Sequence, residues 1–121
     1  MDLLDKYPIT VVIPTRNSMP ELKAHIDSLN GWLHRVRQVV VVDSESTDGT
    51  AEYLREHLKH DCVEFLNHPP GLYQSWNAAI KLVLSEYTYI ATVNDFMPFE
   101  TLAQLYSEAN RLAADVVVSA P

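Results

Sequence analysis

Cysteine is almost missing: the 121-residue chain holds one, Cys62, so no internal disulfide can brace the fold. Cys62 lies in the apolar run Cys62-Val63-Glu64-Phe65-Leu66, where buried packing is its expected role. Basic side chains are scarce too. Nine Lys and Arg stand against sixteen Asp and Glu, a formal net charge of −7. Sequence-independent nucleic-acid binding requires a basic face, and this balance argues against it. The same negative field opposes an anionic ligand unless a cation or a local cluster of donors offsets it. No apolar run reaches the roughly 18 residues of a membrane span, and no secretory signal pattern is present. The expected setting is the cytoplasm, with peripheral association at the inner face of a membrane left open.

What the chain does have is enough apolar material, 47% of residues, for one domain with a true core. The stretch around which it is organised is Val39-Val40-Val41-Val42-Asp43-Ser44-Glu45-Ser46-Thr47-Asp48-Gly49-Thr50. Four successive valines suit a strand buried on both faces. At Asp43 the run turns polar, and Asp48 is placed to cap a helix whose apolar positions are Ala51, Leu54 and Leu58. Strand, acidic hydroxyl-rich loop, helix is the predicted order.

The same alternation recurs along the chain. Ile9–Ile13 predicts a first strand, ended by Pro14. Ser18 and Glu21 have capping-box spacing ahead of a helix carrying Leu22, Ile26, Leu29 and Leu33. Further strands are predicted near residues 37–42, 62–66, 88–93 and 115–118, with helices between them. Leu72, Tyr73, Trp76, Ile80, Val83 and Leu84 predict a broad apolar stripe on the third helix, with Tyr73 and Trp76 in the core. Strands alternating with helices imply an α/β fold: a doubly wound, mostly parallel sheet with helices on both faces. Histidines 25, 34, 57 and 60 lack ligand spacing to acids or cysteines and are expected at the surface or in packing. His68 falls in the loop after the third strand, within reach of a ligand there.

Polar loops follow strands one, two and four: Pro14-Thr15-Arg16-Asn17, then Asp43 to Asp48, then Asn94-Asp95. With the first strand central, between the second and the fourth, these loops meet in one crevice at the carboxyl ends of the strands, where open α/β sheets bind ligands.

Val41-Val42-Asp43-Ser44-Glu45-Ser46-Thr47-Asp48-Gly49-Thr50 resembles the hydrophobic-Asp-Asp/Ser-Gly-Ser-Thr-Asp-Gly-Thr signature of family 2 glycosyltransferases with the GT-A fold. Thr10-Val11-Val12-Ile13-Pro14-Thr15-Arg16-Asn17 is similar to that family's opening strand-Pro-Thr-x-Asn. Gly71-Leu72-Tyr73-Gln74-Ser75-Trp76-Asn77-Ala78-Ala79-Ile80 resembles its Gly-Ile-Tyr-Asp-Ala-Met-Asn-Lys-Gly-Ile segment, and Tyr89 to Asp95 its strand followed by Asn-x-Asp-Asp. The resemblance implies the Rossmann-like nucleotide-binding half of an inverting glycosyltransferase, an N-terminal portion of a longer chain. It implies a nucleotide-diphosphate sugar as donor and a glycan or lipid-linked acceptor. Pro14, Thr15, Arg16, Asn17, Asp43, Ser44, Ser46, Asn77 and Asn94 would form the nucleotide-sugar site, with Thr15 and Asp43 at the base. Asp95 would bind Mn²⁺ or Mg²⁺ on the diphosphate. No residue takes the role of catalytic base.

The departures from the family pattern carry chemistry of their own. Glu45 stands where the family has Gly, and a left-handed backbone there would strain it. Asn94 replaces one carboxylate of the acidic pair, and Gln74 replaces an acid in the Gly-Leu-Tyr segment. A weakened metal site leaves two other readings: a non-catalytic nucleotide-sugar-binding module, or an α/β scaffold domain whose loops serve only as turns.

Overall fold

The computed structural model describes residues 6–116. β1 (Tyr7–Thr15), α1 (Leu22–Asn30), β2 (Val36–Asp43), α2 (Thr50–His57), β3 (Val63–Asn67), α3 (Leu72–Ile80), β4 (Tyr87–Ile90) and α4 (Phe99–Leu112) follow in order, with one 3-10 turn at Leu33–Arg35. The strands form one sheet in the order β3-β2-β1-β4, and every pairing is parallel. The first strand lies between the second and the fourth, the arrangement on which the convergence of their loops depends. The fifth predicted strand, 115–118, runs beyond the described residues.

The valine run does what its composition dictates. Val39 and Val41 face one side and Val40 and Val42 the other, and all four are at most 1% exposed. On the first side, Val11, Ile13, Val39 and Val41 meet Leu22 and Ile26 of α1, Leu54 of α2 and Leu102 of α4. On the second, Val12, Val40 and Val42 meet Ala79 of α3. Helices thus cover both faces, three on one and α3 on the other.

Pro14 does not end β1; the strand continues to Thr15, with Pro14 in register with Val42. The reason is directional. Val12 accepts at its carbonyl from Ala91 N at 2.8 Å, so Pro14, two residues on, turns the same edge toward β4. The pairing with β4 has ended there, at Val12 and Ile90, and the missing N–H has no partner to lose. β4 stops at Ile90 rather than Val93 because Asp95 N bonds to Thr92 O at 3.0 Å and closes a turn.

Other expectations are corrected. Leu22 N bonds to the Ser18 carbonyl, and neither Ser18 nor Glu21 makes a side-chain cap of α1. Cys62 is exposed, because it precedes the edge strand β3, most of whose side chains face outward. The third helix is turned the opposite way from its apolar stripe. Its buried residues are Ser75 and Ala79, whereas Leu72, Tyr73, Ile80 and the following Leu84 are exposed. Small side chains let α3 lie close on β1 and β2, and that close approach decides the face.

A buried polar clamp fastens the segment after α3. Gln38, 2% exposed in β2, accepts from Thr10 Oγ1 at 2.7 Å and from Leu84 N at 2.9 Å, and donates to Leu82 O at 2.9 Å. Removing it strands buried donors and acceptors on both sides. Gln38→Leu should lower the unfolding free energy by about 2–3 kcal/mol, read as a reduced urea midpoint; an unchanged midpoint would show the clamp to be energetically idle.

Candidate functional site

The last pair of the β1–β2 ladder, Thr15 and Asp43, is also the first contact between their loops. Thr15 Oγ1 donates to Asp43 Oδ1 at 2.7 Å, and Ser44 N donates to Thr15 O at 2.9 Å. Asp43 takes two more donors, Ser46 Oγ at 2.6 Å and Ser46 N at 3.0 Å. Beyond it the loops are cross-tied. Asn17 N donates to Ser46 Oγ at 2.8 Å, Thr47 N to Asn17 Oδ1 at 2.8 Å, Ser18 N to Thr50 Oγ1 at 2.9 Å, and Met19 N to Asp48 Oδ2 at 3.0 Å. Asp48 also receives Thr50 N and the Thr50 hydroxyl, so it caps the start of α2 from one residue before Gly49. The Thr50 hydroxyl holds the Asp48 carboxyl below the usual carboxylate range, and Met19 N adds to the effect.

Under this laced rim lies a cavity of about 340 Å³, walled by Pro14, Thr15 and Arg16 of the β1 end, Ser44 of the β2 end, Thr92 after β4, and Gly71, Leu72, Ser75 and Trp76 of α3. Its polar floor is a pair of buried hydroxyls, Ser44 Oγ and Ser75 Oγ, 3.0 Å apart. His68 stands 3.5 Å from Ser75 through Nδ1, which also lies 2.7 Å from the Pro69 carbonyl. Asp43 and Ser46 line a separate hollow of about 160 Å³ toward β3, with Glu45, Arg55 and Asn67. A larger hollow, about 380 Å³, flanks β4 and α4, but the converging loops do not border it.

The loop after β4 is fastened from the α1 side. Tyr89 donates its hydroxyl to Asp95 Oδ2 at 3.0 Å, and His25 Nε2 lies 3.2 Å from the Ala91 carbonyl. Burial first, then the Asp95 carboxylate, pushes the Tyr89 phenol up, while burial lowers His25. Among the described residues, no three His, Cys, Asp or Glu side chains gather to hold a metal. Asp95 is exposed and commits one oxygen to Tyr89. A single carboxylate beside a neutral Asn94 amide is a hard-oxygen set. It fits Mg²⁺ or Mn²⁺ that takes most of its oxygens from a bound ligand, not a cation held by protein alone.

Each converging loop carries one non-glycine residue in the left-handed region: Asn17 at φ 45°, Glu45 at φ 55° and Asn94 at φ 76°. Asn tolerates that conformation; Glu does so at a cost.

Residues 10–121 match the family model described as Glycosyl transferase family 2. The chain belongs to that family. It is 30% identical over 122 residues to an uncharacterized glycosyltransferase of Mycoplasma pneumoniae, covering 95% of this chain and 40% of that one. It is 24% identical over 112 residues to the glycosyltransferase GlyA of Streptococcus pneumoniae, covering 91% of this chain and 16% of that one. Among solved structures, a mannosyltransferase from Pyrobaculum calidifontis in complex with GDP-Man and Mn²⁺ matches at 26% identity and TM-score 0.62, over 77% of this chain and 29% of that one. S. aureus TarS matches at 25% identity and TM-score 0.67, over 85% and 32%. The chain thus spans less than half the length of each of these relatives, and its fold is that of the GT-A glycosyltransferases.

Within this family 2 frame, Pro14, Thr15, Arg16 and Ser44 stand around one cavity. Asn17, Asp43 and Ser46 form the lacing at its rim. Asn94 and Asp95 lie on the neighbouring loop, facing a small hollow that includes Glu21 and His25. Asn77 is exposed on α3, away from the cavity wall. Ser75 was not anticipated. Its signal was spacing, since Ser75 and Ala79 sit four apart on the one helix face small enough for close approach.

Two tests follow from this geometry. Glu45→Gly keeps the left-handed turn and removes its side-chain strain, so stability should rise by about 0.5–1 kcal/mol; a lower urea midpoint would show that the Glu45 side chain compensates. Asp48 has a lowered folded-state pKa, so its contribution is present above its unfolded value, about 3.9, and is lost as pH falls through the depressed folded value. Asp48→Asn should therefore flatten the acid limb of the stability–pH curve, with little change in slope near neutrality.

Proposed function

We propose that this chain binds the nucleotide-diphosphate sugar donor of a glycosyltransferase. What carries the reading is the lacing of the β1 and β2 loops into one rim over a cavity in a family 2 chain. The similar mannosyltransferase, in complex with GDP-Man and Mn²⁺, supports both a nucleotide-sugar ligand and a divalent cation here. Thr15 and Asp43 are assigned to the base side. Asp43 Oδ1 already accepts two bonds and Oδ2 one, which leaves Oδ2 able to take a base N–H.

A diphosphate brings about two negative charges into a chain of net charge −7, and Arg16 is the basic side chain on the cavity wall. A cation bound with the diphosphate supplies the remaining neutralisation of the leaving group. Asp95, with Asn94 beside it, is the residue assigned to hold that cation. For the whole protein we propose transfer, with inversion, to a hydroxyl on a glycan or lipid-linked acceptor. No residue is assigned as the base. No described helix is long and apolar enough to cross a membrane, and a cytoplasmic place at a membrane's inner face belongs to the proposal.

The single carboxylate at Asp95 favours one second reading, a nucleotide-sugar-binding module without transfer. Calorimetry separates the two. Nucleoside diphosphate should bind more tightly with Mn²⁺, Asp95→Ala should abolish that gain, and Asp43→Ala should cost about 1–3 kcal/mol of affinity with or without metal. Binding that ignores Mn²⁺ would put the non-catalytic module ahead.

A further inference from the structure

We infer that Trp76 is a wall of the nucleobase subsite, so that the base of the donor lies between its indole and the Arg16 guanidinium. The inference rests on the nucleotide-sugar reading and names the side chain that sets its base affinity. Trp76 and Arg16 line the same cavity of about 340 Å³. Its other walls include Pro14, Leu72 and the buried Ser44–Ser75 hydroxyl pair. A diphosphate needs several donors or cations, and a sugar needs a ring of hydroxyl partners. A mostly apolar slot with two hydroxyls at its floor suits neither. It suits a flat ring with a polar edge.

The inverted seating of α3 is what brings the indole there. With Ser75 and Ala79 against the sheet, Trp76 is half-buried at the cavity rather than inside the core. Its Nε1 is buried and has no hydrogen-bond partner. A buried donor without a partner costs stability, and the core Trp32 Nε1 shares that condition; what sets Trp76 apart is that it borders the cavity. Tyr73 stands edge-on to the indole, with ring centroids 6.0 Å apart, and supports it on the side of the helix away from the sheet. Indole and guanidinium both offer flat faces on which a base can stack.

The test uses uridine and guanosine diphosphates against inorganic pyrophosphate, each with Mn²⁺. The parent chain should show tryptophan fluorescence quenching by the nucleotides, retained in Trp32→Phe, which leaves Trp76 as the sole tryptophan. Trp76→Ala should weaken nucleotide binding roughly tenfold or more and leave pyrophosphate binding unchanged, and Trp76→Phe should restore most of the loss. Should Trp76→Ala fail to fold, the fluorescence response in Trp32→Phe decides. Nucleotide affinity equal in parent and Trp76→Ala, or nucleotide binding without quenching in Trp32→Phe, would overturn the inference and leave the nucleotide-sugar reading standing. A parent that binds no nucleoside diphosphate would bring down both.

Discussion

The hydrogen bond from Thr15 to Asp43 is the contact on which the rest of the site depends. It joins the last register pair of the two central strands, both residues buried, with a carboxylate as acceptor. A buried carboxylate without donors is costly, and hydrogen bonds to a charged acceptor are among the stronger ones a protein makes. Asp43 therefore gathers Thr15 and both donors of Ser46. Ser46, once fixed, receives Asn17. Each tie sets the next, and two loops that would otherwise move separately become one rim.

That rim is built under backbone strain. Asn17, Glu45 and Asn94, one in each converging loop, adopt left-handed backbone. Such conformations persist where surrounding bonds over-determine them. Asn17 shows how: its amide N–H and its side-chain carbonyl are both engaged with the β2 loop. Glu45 holds the turn with only a backbone bond to Asn67 Oδ1 at 3.3 Å, which is why the strain there is open to relief by glycine.

The third loop is secured by different means, through α1 and β4. His25 of α1 reaches the Ala91 carbonyl and Tyr89 reaches Asp95. Two loops are thus locked to each other, while the third is locked to the scaffold. The exposed Asp95 carboxylate therefore lies on its own small hollow with Glu21 and His25, beside the laced rim and not within it.

The sequence by itself determined the strand order's logic and the position of the loops. Val39 to Val42 leave no polar face, so that strand had to be central, and the turn to polar residues at Asp43 had to end it; Pro14 and Asn94 marked their loops only approximately, since β1 runs on to Thr15 and β4 stops at Ile90. Local chemistry was enough, because burial on both faces and turn formation are read over a few neighbouring residues. What only the tertiary structure decided is how side chains far apart in sequence divide the work. Asp43 and Ser46 read as ligand contacts, but they bond to each other, and distant donors from the β1 side, Thr15 and Asn17, claim part of what remains. α3 reads as an apolar stripe turned inward, but the sheet selects Ser75 and Ala79, since interaxial closeness depends on the partner surface and not on the helix's own periodicity. Gln38 in a strand and Trp76 on a helix carry no local sign of their roles. Both are set by which groups lie opposite once the crossovers have closed.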